Sequence, residues 1–217
     1  MINPTPVLDW RPGHRQPGMV ELTACRHLHN LATGVPADHA IVELGSYRGR
    51  STGWLLLGAH RGHHAHVHAV DARDQRTDET YEGSFERFTG AHPDFARHMQ
   101  RIGATDRELT VHLDYAHHIA HRWTGPPVGL LWHDAGHGAD EVERDLLAWL
   151  PLMAPGATIV VHDAANPHWG VVEGARRALE HAPGWMWNQR TLTTWPRRRN
   201  RRGTLTVHHR PHTGGGR

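Results

Sequence analysis

Five short apolar runs, each ending in polar or glycine residues and each followed by helical spacing, constrain this chain more than any other feature. AIVEL (40–44) turns through GSYRGRS into STGWLLLGAH. AHVHAVDA (65–72) precedes TYEGSFERFTGAHPDFARHMQRIG, a helical or irregular stretch interrupted by Pro93. LTVHLD (109–114) leads into YAHHIAHRW, VGLLWHD (128–134) into DEVERDLLAWLPLM, and ATIVVHDA (157–164) into WGVVEGARRALEHA. Strict alternation of this kind predicts parallel strands joined by right-handed helical crossovers, with helices on both faces. MVELTACRHLHNLAT reads as a further helix before the first strand, and WMWNQRTLTT and GTLTVHHR as two late strands. The expected fold is a Rossmann-like, doubly wound, mostly parallel α/β sheet of seven strands with an antiparallel C-terminal pair. Residues 1–18 are expected to be a flexible N-terminus, 19–210 a single domain and 211–217 a disordered tail, because 217 residues suit one good-sized domain.

All 24 Lys+Arg residues are arginine. Without lysine there is no lysine nucleophile, Schiff base or general base, so proton transfer near neutral pH falls to histidine or a carboxylate. The one cysteine, Cys25, excludes an internal disulfide and a cysteine-rich zinc site. No apolar run spans a bilayer and the N-terminus lacks the apolar segment of a secretory leader, so a cytoplasmic location is expected.

In an open α/β sheet the informative residues are the last ones of each strand, because ligands bind outside the carboxyl ends. The first strand ends in Glu43-Leu44-Gly45-Ser46-Tyr47-Arg48-Gly49, an ExGxxxG spacing and not the GxGxxG of a pyrophosphate cradle. Such a turn suits an amino-acid moiety and a nucleoside, which need close backbone approach at two points. Asp71 ends the second strand in the usual place for a carboxylate that accepts from ribose hydroxyls. Asp114 ends the third, where it would help hold an adenine. The fourth and fifth strands end in WHDAGH and VVHDAA. If they are neighbours, Asp134 and Asp163 meet at one edge, and two carboxylates there suit a hard divalent cation such as Mg²⁺. An alternative use of each is to cap the following helix, worth about 1 kcal/mol. The paired His-Asp endings favour the metal or substrate site, with His162 either a third ligand or an orienting residue.

The framework IVELGSYRGRST … VHAVDARD … LLWHDAGHGADEVERDLLAWLPLMAPGATIVVHDA … GVVEGARRAL resembles the class I S-adenosylmethionine-dependent methyltransferases over roughly residues 19–180. Within them it is most similar to the small-molecule O-methyltransferases of catechol type and macrolide-sugar type. The resemblance implies S-adenosyl-L-methionine contacted by Glu43, Gly45, Ser46, Gly49, Ser51, Asp71 and Asp114. It also implies a divalent metal at Asp134 and Asp163, with His162 beside them. Catechol-type relatives carry a lysine three residues after the first metal aspartate, where this chain has His137; sugar-modifying relatives have histidine there. His137 is therefore the expected general base, taking the proton of a metal-bound acceptor hydroxyl as it attacks the methyl sulfonium in line. The departure is the second pair, His162-Asp163, a less anionic set than the relatives carry.

His64, His66 and His68, like His112, His117, His118 and His121, read as histidine-rich surface composition, and Trp54, Trp132 and Trp149 as packing residues. The arginine run Arg197–Arg202 supports a rival reading, an RNA-directed methyltransferase, though the run is short and sits in an expected hairpin loop. A silent cofactor-binding scaffold is the third reading. The expected partner is a small hydroxylated acceptor, with a homodimer as a further expectation and no membrane partner. Acceptor selectivity is assigned to the N-terminal segment and to residues 76–100.

Overall fold

The structure, a computed structural model, describes residues 16, 18–72, 93–185, 191–194 and 203–210. The strands are β1 (Ala40–Leu44), β2 (His66–Val70), β3 (Leu109–His112), β4 (Val128–His133), β5 (Met153–Val161), β6 (Thr191–Thr194) and β7 (Gly203–His208). Helix α1 (Leu22–Thr33) precedes β1, α2 (Arg50–Arg61) follows it, and α3 (Pro93–Ile102) leads to β3. The remaining helices are α4 (Ala116–His121), α5 (Ala139–Trp149) and α6 (Val171–Glu180). The strands form one mixed sheet in the order β3-β2-β1-β4-β5-β7-β6. Its first five are parallel, and β7 runs antiparallel to both β5 and β6. Chain order reverses between β1 and β4, so a crevice opens there at the carboxyl ends.

The apolar residues divide by strand alternation into two cores. Ile41, Leu130 and Trp132 face α1, α2 and α3, where Leu28, Leu55, Phe95 and Met99 are buried. Val42, Leu131 and Val161 face α4, α5 and α6, with Leu146, Trp149 and Leu179. Trp132 and Trp149 are wholly buried, and truncating either to alanine would cost about 3–5 kcal/mol. Trp54 is only half-buried and meets His29 edge-on. Pro93, read from sequence as an interruption, is instead the first residue of α3, where proline's missing N–H costs nothing. Gly49, in a left-handed conformation, is the N-cap of α2, and Ser51 and Thr52 lie inside the first turn.

The histidines are less superficial than their number suggests. His66 sits 2.8 Å from the Thr110 hydroxyl, His68 and His112 meet at 3.1 Å, and His68 packs edge-on against Trp123. Burial, aided by its histidine neighbours, pushes the His68 pKa down to about 3. Among the described residues no helix is long and apolar enough to cross a membrane. Cys25 is buried and its thiol is pushed up to about 11 by that burial, so it is chemically inert near neutral pH.

Candidate functional site

The site starts from a turn that only glycine fits. Gly45 has φ of 88°, and a Cβ added to it would lie 2.3 Å from the carbonyl oxygen of Asp134. Because β1 and β4 are neighbours, the N–H of Asp134 also donates to Leu44 O at 2.8 Å, so the turn and the end of β4 lie backbone to backbone. Asp71, at the end of β2, accepts from the N–H of Ser46 (2.9 Å) and of Tyr47 (2.6 Å) and from the Ser46 hydroxyl (3.3 Å). One carboxylate thus fixes the shape of the loop.

A cavity of about 410 Å³ follows the strand ends from Asp71 and Tyr115, past Gly45, Ser46 and Ser51, to Asp134, His137, His162, Asp163 and Trp169. Eight of the residues singled out from sequence therefore line one space. Three do not. Glu43 shares the strand face of Ile41, is wholly buried, and accepts from the Thr52 hydroxyl in the first turn of α2. Burial pushes its carboxyl up to about 8, against the pull of its Ser51 and Thr52 hydrogen bonds. Gly49 looks the other way, where an added Cβ would strike Phe95 and Met99 of α3 at 2.9 Å. Asp114 serves its own helix, accepting from His118 (2.9 Å) and the Tyr115 N–H (2.7 Å) and pairing with Arg122. Those donors, His118 foremost, hold its carboxyl down at about 2. The residues after it, Tyr115 and Ala116, are the ones that reach the cavity.

At the other end, ligand atoms of Asp134, His162 and Asp163 all lie within 4.8 Å of one another. Neither aspartate caps a helix: α5 has Gly138 as N-cap, with its N–H donating to Glu141 at 3.0 Å, and α6 has Gly170. Asp163 instead adopts φ of 55°, a left-handed turn that aspartate tolerates better than most residues. His162 is buried with Nδ1 2.8 Å from Asp134 and 3.4 Å from Asp163, and Nε2 3.0 Å from Glu21. Burial alone would lower its pKa; the carboxylates, Asp134 first, overcome this and push it up to about 12. Both ring nitrogens then donate. The donor set fits a hard divalent cation through the oxygens of Asp134 and Asp163, and His162, held between Asp134 and Glu21, is placed to orient the first of them.

His137 is about one third exposed, with Nε2 3.2 Å from Asp163, and its ring lies 4.1 Å from that of Trp169. The carbonyl of His137 accepts from the Gly170 N–H at 3.0 Å. The loop before α6 therefore holds the histidine from two sides. Glu21 and Trp169 were missed by sequence reasoning, since each arrives from a segment with no local motif. Tyr47 lay unremarked inside the quoted turn. The arginine run Arg197–Arg202 and most of residues 76–100 lie outside the described residues.

Residues 42–164 match the family model described as "Methyltransferase domain". No curated protein sequence matches. Among solved structures, the chain resembles the O-methyltransferase TomG from Streptomyces achromogenes, involved in tomaymycin synthesis and determined in complex with SAM. Identity is 20%, covering 89% of this chain and 82% of that one, with a TM-score of 0.64. The O-methyltransferase from Bacillus cereus in complex with SAH is 17% identical over 90% and 84% of the two chains, TM-score 0.64. An rRNA methylase from Streptococcus thermophilus is 12% identical over 89% and 100%, TM-score 0.57, so the fold alone does not separate small acceptors from RNA. The family model spans more than half of the chain, which belongs to the methyltransferase domain family and is an S-adenosylmethionine-dependent methyltransferase.

Proposed function

We propose that this enzyme methylates a hydroxyl oxygen of a small metabolite, a sugar or another natural product, with His137 as general base. The observation that carries the reading is the placement of His137 on the cavity, 3.2 Å from Asp163 and within the same wall as Asp134. A base needs an orienting partner and an open side toward its substrate, and His137 has both. Asp163 faces one ring nitrogen, which favours the tautomer whose other nitrogen accepts a proton. Trp169 packs on the ring and limits its rotation. The two O-methyltransferase neighbours, one with SAM and one with SAH, support a cofactor lying between Asp71 and the Gly45 turn, with Ser46 and Ser51 beside its amino-acid end.

Asp134 and Asp163 are the residues that would hold a divalent cation such as Mg²⁺, which would acidify the acceptor hydroxyl and fix its orientation. His162 holds the Asp134 carboxylate in place, so the oxygen pair is preorganised before any ion arrives. The rest of catalysis is positioning of the acceptor oxygen against the methyl carbon. The test is a panel of hydroxylated sugars and polyketide-like acceptors with labelled cofactor, with and without chelator, for the wild type and His137→Ala. Transfer that falls at least a hundredfold in the variant, with SAH binding intact, supports the base. An unchanged rate removes it, and loss with chelator that Mg²⁺ restores supports the metal.

A further inference from the structure

The candidate cation site has a neighbour that no strand end supplies. Glu21 stands at the N-cap of α1, at φ of −68° and ψ of 149°, and its carbonyl accepts from the Cys25 N–H at 2.9 Å. Val20 before it and Ala24, Cys25 and Leu28 after it are buried in the core on that face of the sheet. The backbone of Glu21 is therefore fixed by packing. Its side chain, 22% exposed, reaches the end of β5 and meets His162 Nε2 at 3.0 Å.

His162 links that carboxylate to Asp134. The imidazole is buried, lies 5.2 Å from the Trp132 ring, and turns Nδ1 to Asp134 Oδ1 at 2.8 Å. Among the described residues, Glu21 is the one partner of Nε2. With Glu21 in place the ring is gripped at both nitrogens, and turning it would break two contacts at once. Without Glu21 the grip is on one side only, and Asp134 loses the partner that sets its direction. Resting on the reading that Asp134 and Asp163 hold a divalent cation, we propose that Glu21 is a positioning residue for that site: it acts through His162 to aim Asp134 and so raises cation affinity. The role is one of reach and not of charge, since Glu21 touches the imidazole and not the ion. Outer partners that orient a ligand in this way are worth about 10–100-fold in metal affinity.

The experiment is titration of the full chain with Mn²⁺, a stand-in for Mg²⁺ whose free form is read by electron paramagnetic resonance. The site counted is the one that Asp134→Asn abolishes. Glu21→Gln keeps an accepting oxygen at the same reach and loses the charge, so its affinity is expected within about threefold of the wild type. Glu21→Asp keeps the charge and loses the reach, and Glu21→Ala loses both; each is expected to bind about tenfold more weakly or worse. Aspartate is also a good N-cap, so Glu21→Asp keeps α1 in place whatever alanine does there. Wild-type affinity in the Asp and Ala variants overturns the assignment. The reverse ranking, with affinity kept by Asp and lost by Gln, also overturns it, because Glu21 would then act as a distant charge. A wild type with no Mn²⁺ site that depends on Asp134 removes the cation reading itself and this role with it, a result distinct from the others.

Discussion

The two ends of the cavity are held by different physics. Around Gly45 the chain is fixed by backbone: strand-end N–H groups donating to Leu44 and Val70, a glycine with no room for a Cβ, and one carboxylate gathering two further N–H groups. Around Asp134 it is fixed by side-chain charge, with an imidazolium between three carboxylates. The first end should be sensitive to shape and nearly blind to charge. The second should be the reverse.

The sharpest way to break that contrast is His162→Ala, which leaves Asp134, Asp163 and Glu21 facing one another without a counter-charge. Removing one member of a buried ionic cluster costs about 3–5 kcal/mol, and chemical denaturation should show a loss of that order. Added Mg²⁺ should recover part of it if Asp134 and Asp163 hold the cation; no recovery at millimolar ion argues against that pair as ligands.

Gly45→Ala comes next. It places a methyl group against the Asp134 carbonyl in a left-handed backbone, a combination worth about 2–4 kcal/mol. Unlike the loss in the His162 variant, its loss relative to the wild type should be the same with and without Mg²⁺, because both proteins keep Asp134 and Asp163. A Gly45→Ala protein as stable as the wild type would mean the turn is not packed on β4 as described.

Glu43→Gln sharpens the comparison through pH. The folded carboxyl titrates near 8 and the unfolded one near its ordinary value, so between about pH 5 and 8 the unfolded chain releases a proton that the folded chain keeps. Wild-type stability therefore falls across that window, and the amide, which has no proton to lose, escapes the loss. The variant should match the wild type near pH 4 and exceed it by about 4 kcal/mol at pH 8; parallel curves would place Glu43 in a more polar setting.

The smallest effect on stability belongs to His137→Ala. Its ring is partly exposed, so unfolding should change by about 1 kcal/mol or less, while the rate drops by about 10²–10⁴ as for a lost general base. A large stability loss with a small rate loss would recast His137 as a packing residue against Trp169.

The alternation of apolar runs and helical spacing is enough for the parallel body of the sheet, and the polar strand ends point to Gly45, Ser46, Asp71, Asp134, His137 and Asp163, which line one cavity. Those features are local: a strand's carboxyl end is also the edge where ligands bind, so position along the chain translates into position in space. Direction of a side chain is less local. Glu43 and Gly49 belong to the same ExGxxxG turn as Gly45, yet strand alternation turns one into the core and the left-handed start of α2 turns the other toward α3. Asp114 follows β3 as Asp71 follows β2, but Tyr115, His118 and Arg122, in and beside α4, supply three donors first.

What the sequence determined by itself was the fold class, the absence of any lysine chemistry and the run of strand ends that meet at the cavity. Only the tertiary structure brought Glu21 to His162 across 141 positions and closed Trp169 over His137. Each of these depends on which helices pack side by side and on how far each strand edge stands from its neighbour. Those distances are set by the summed packing of both cores and are written in no single segment.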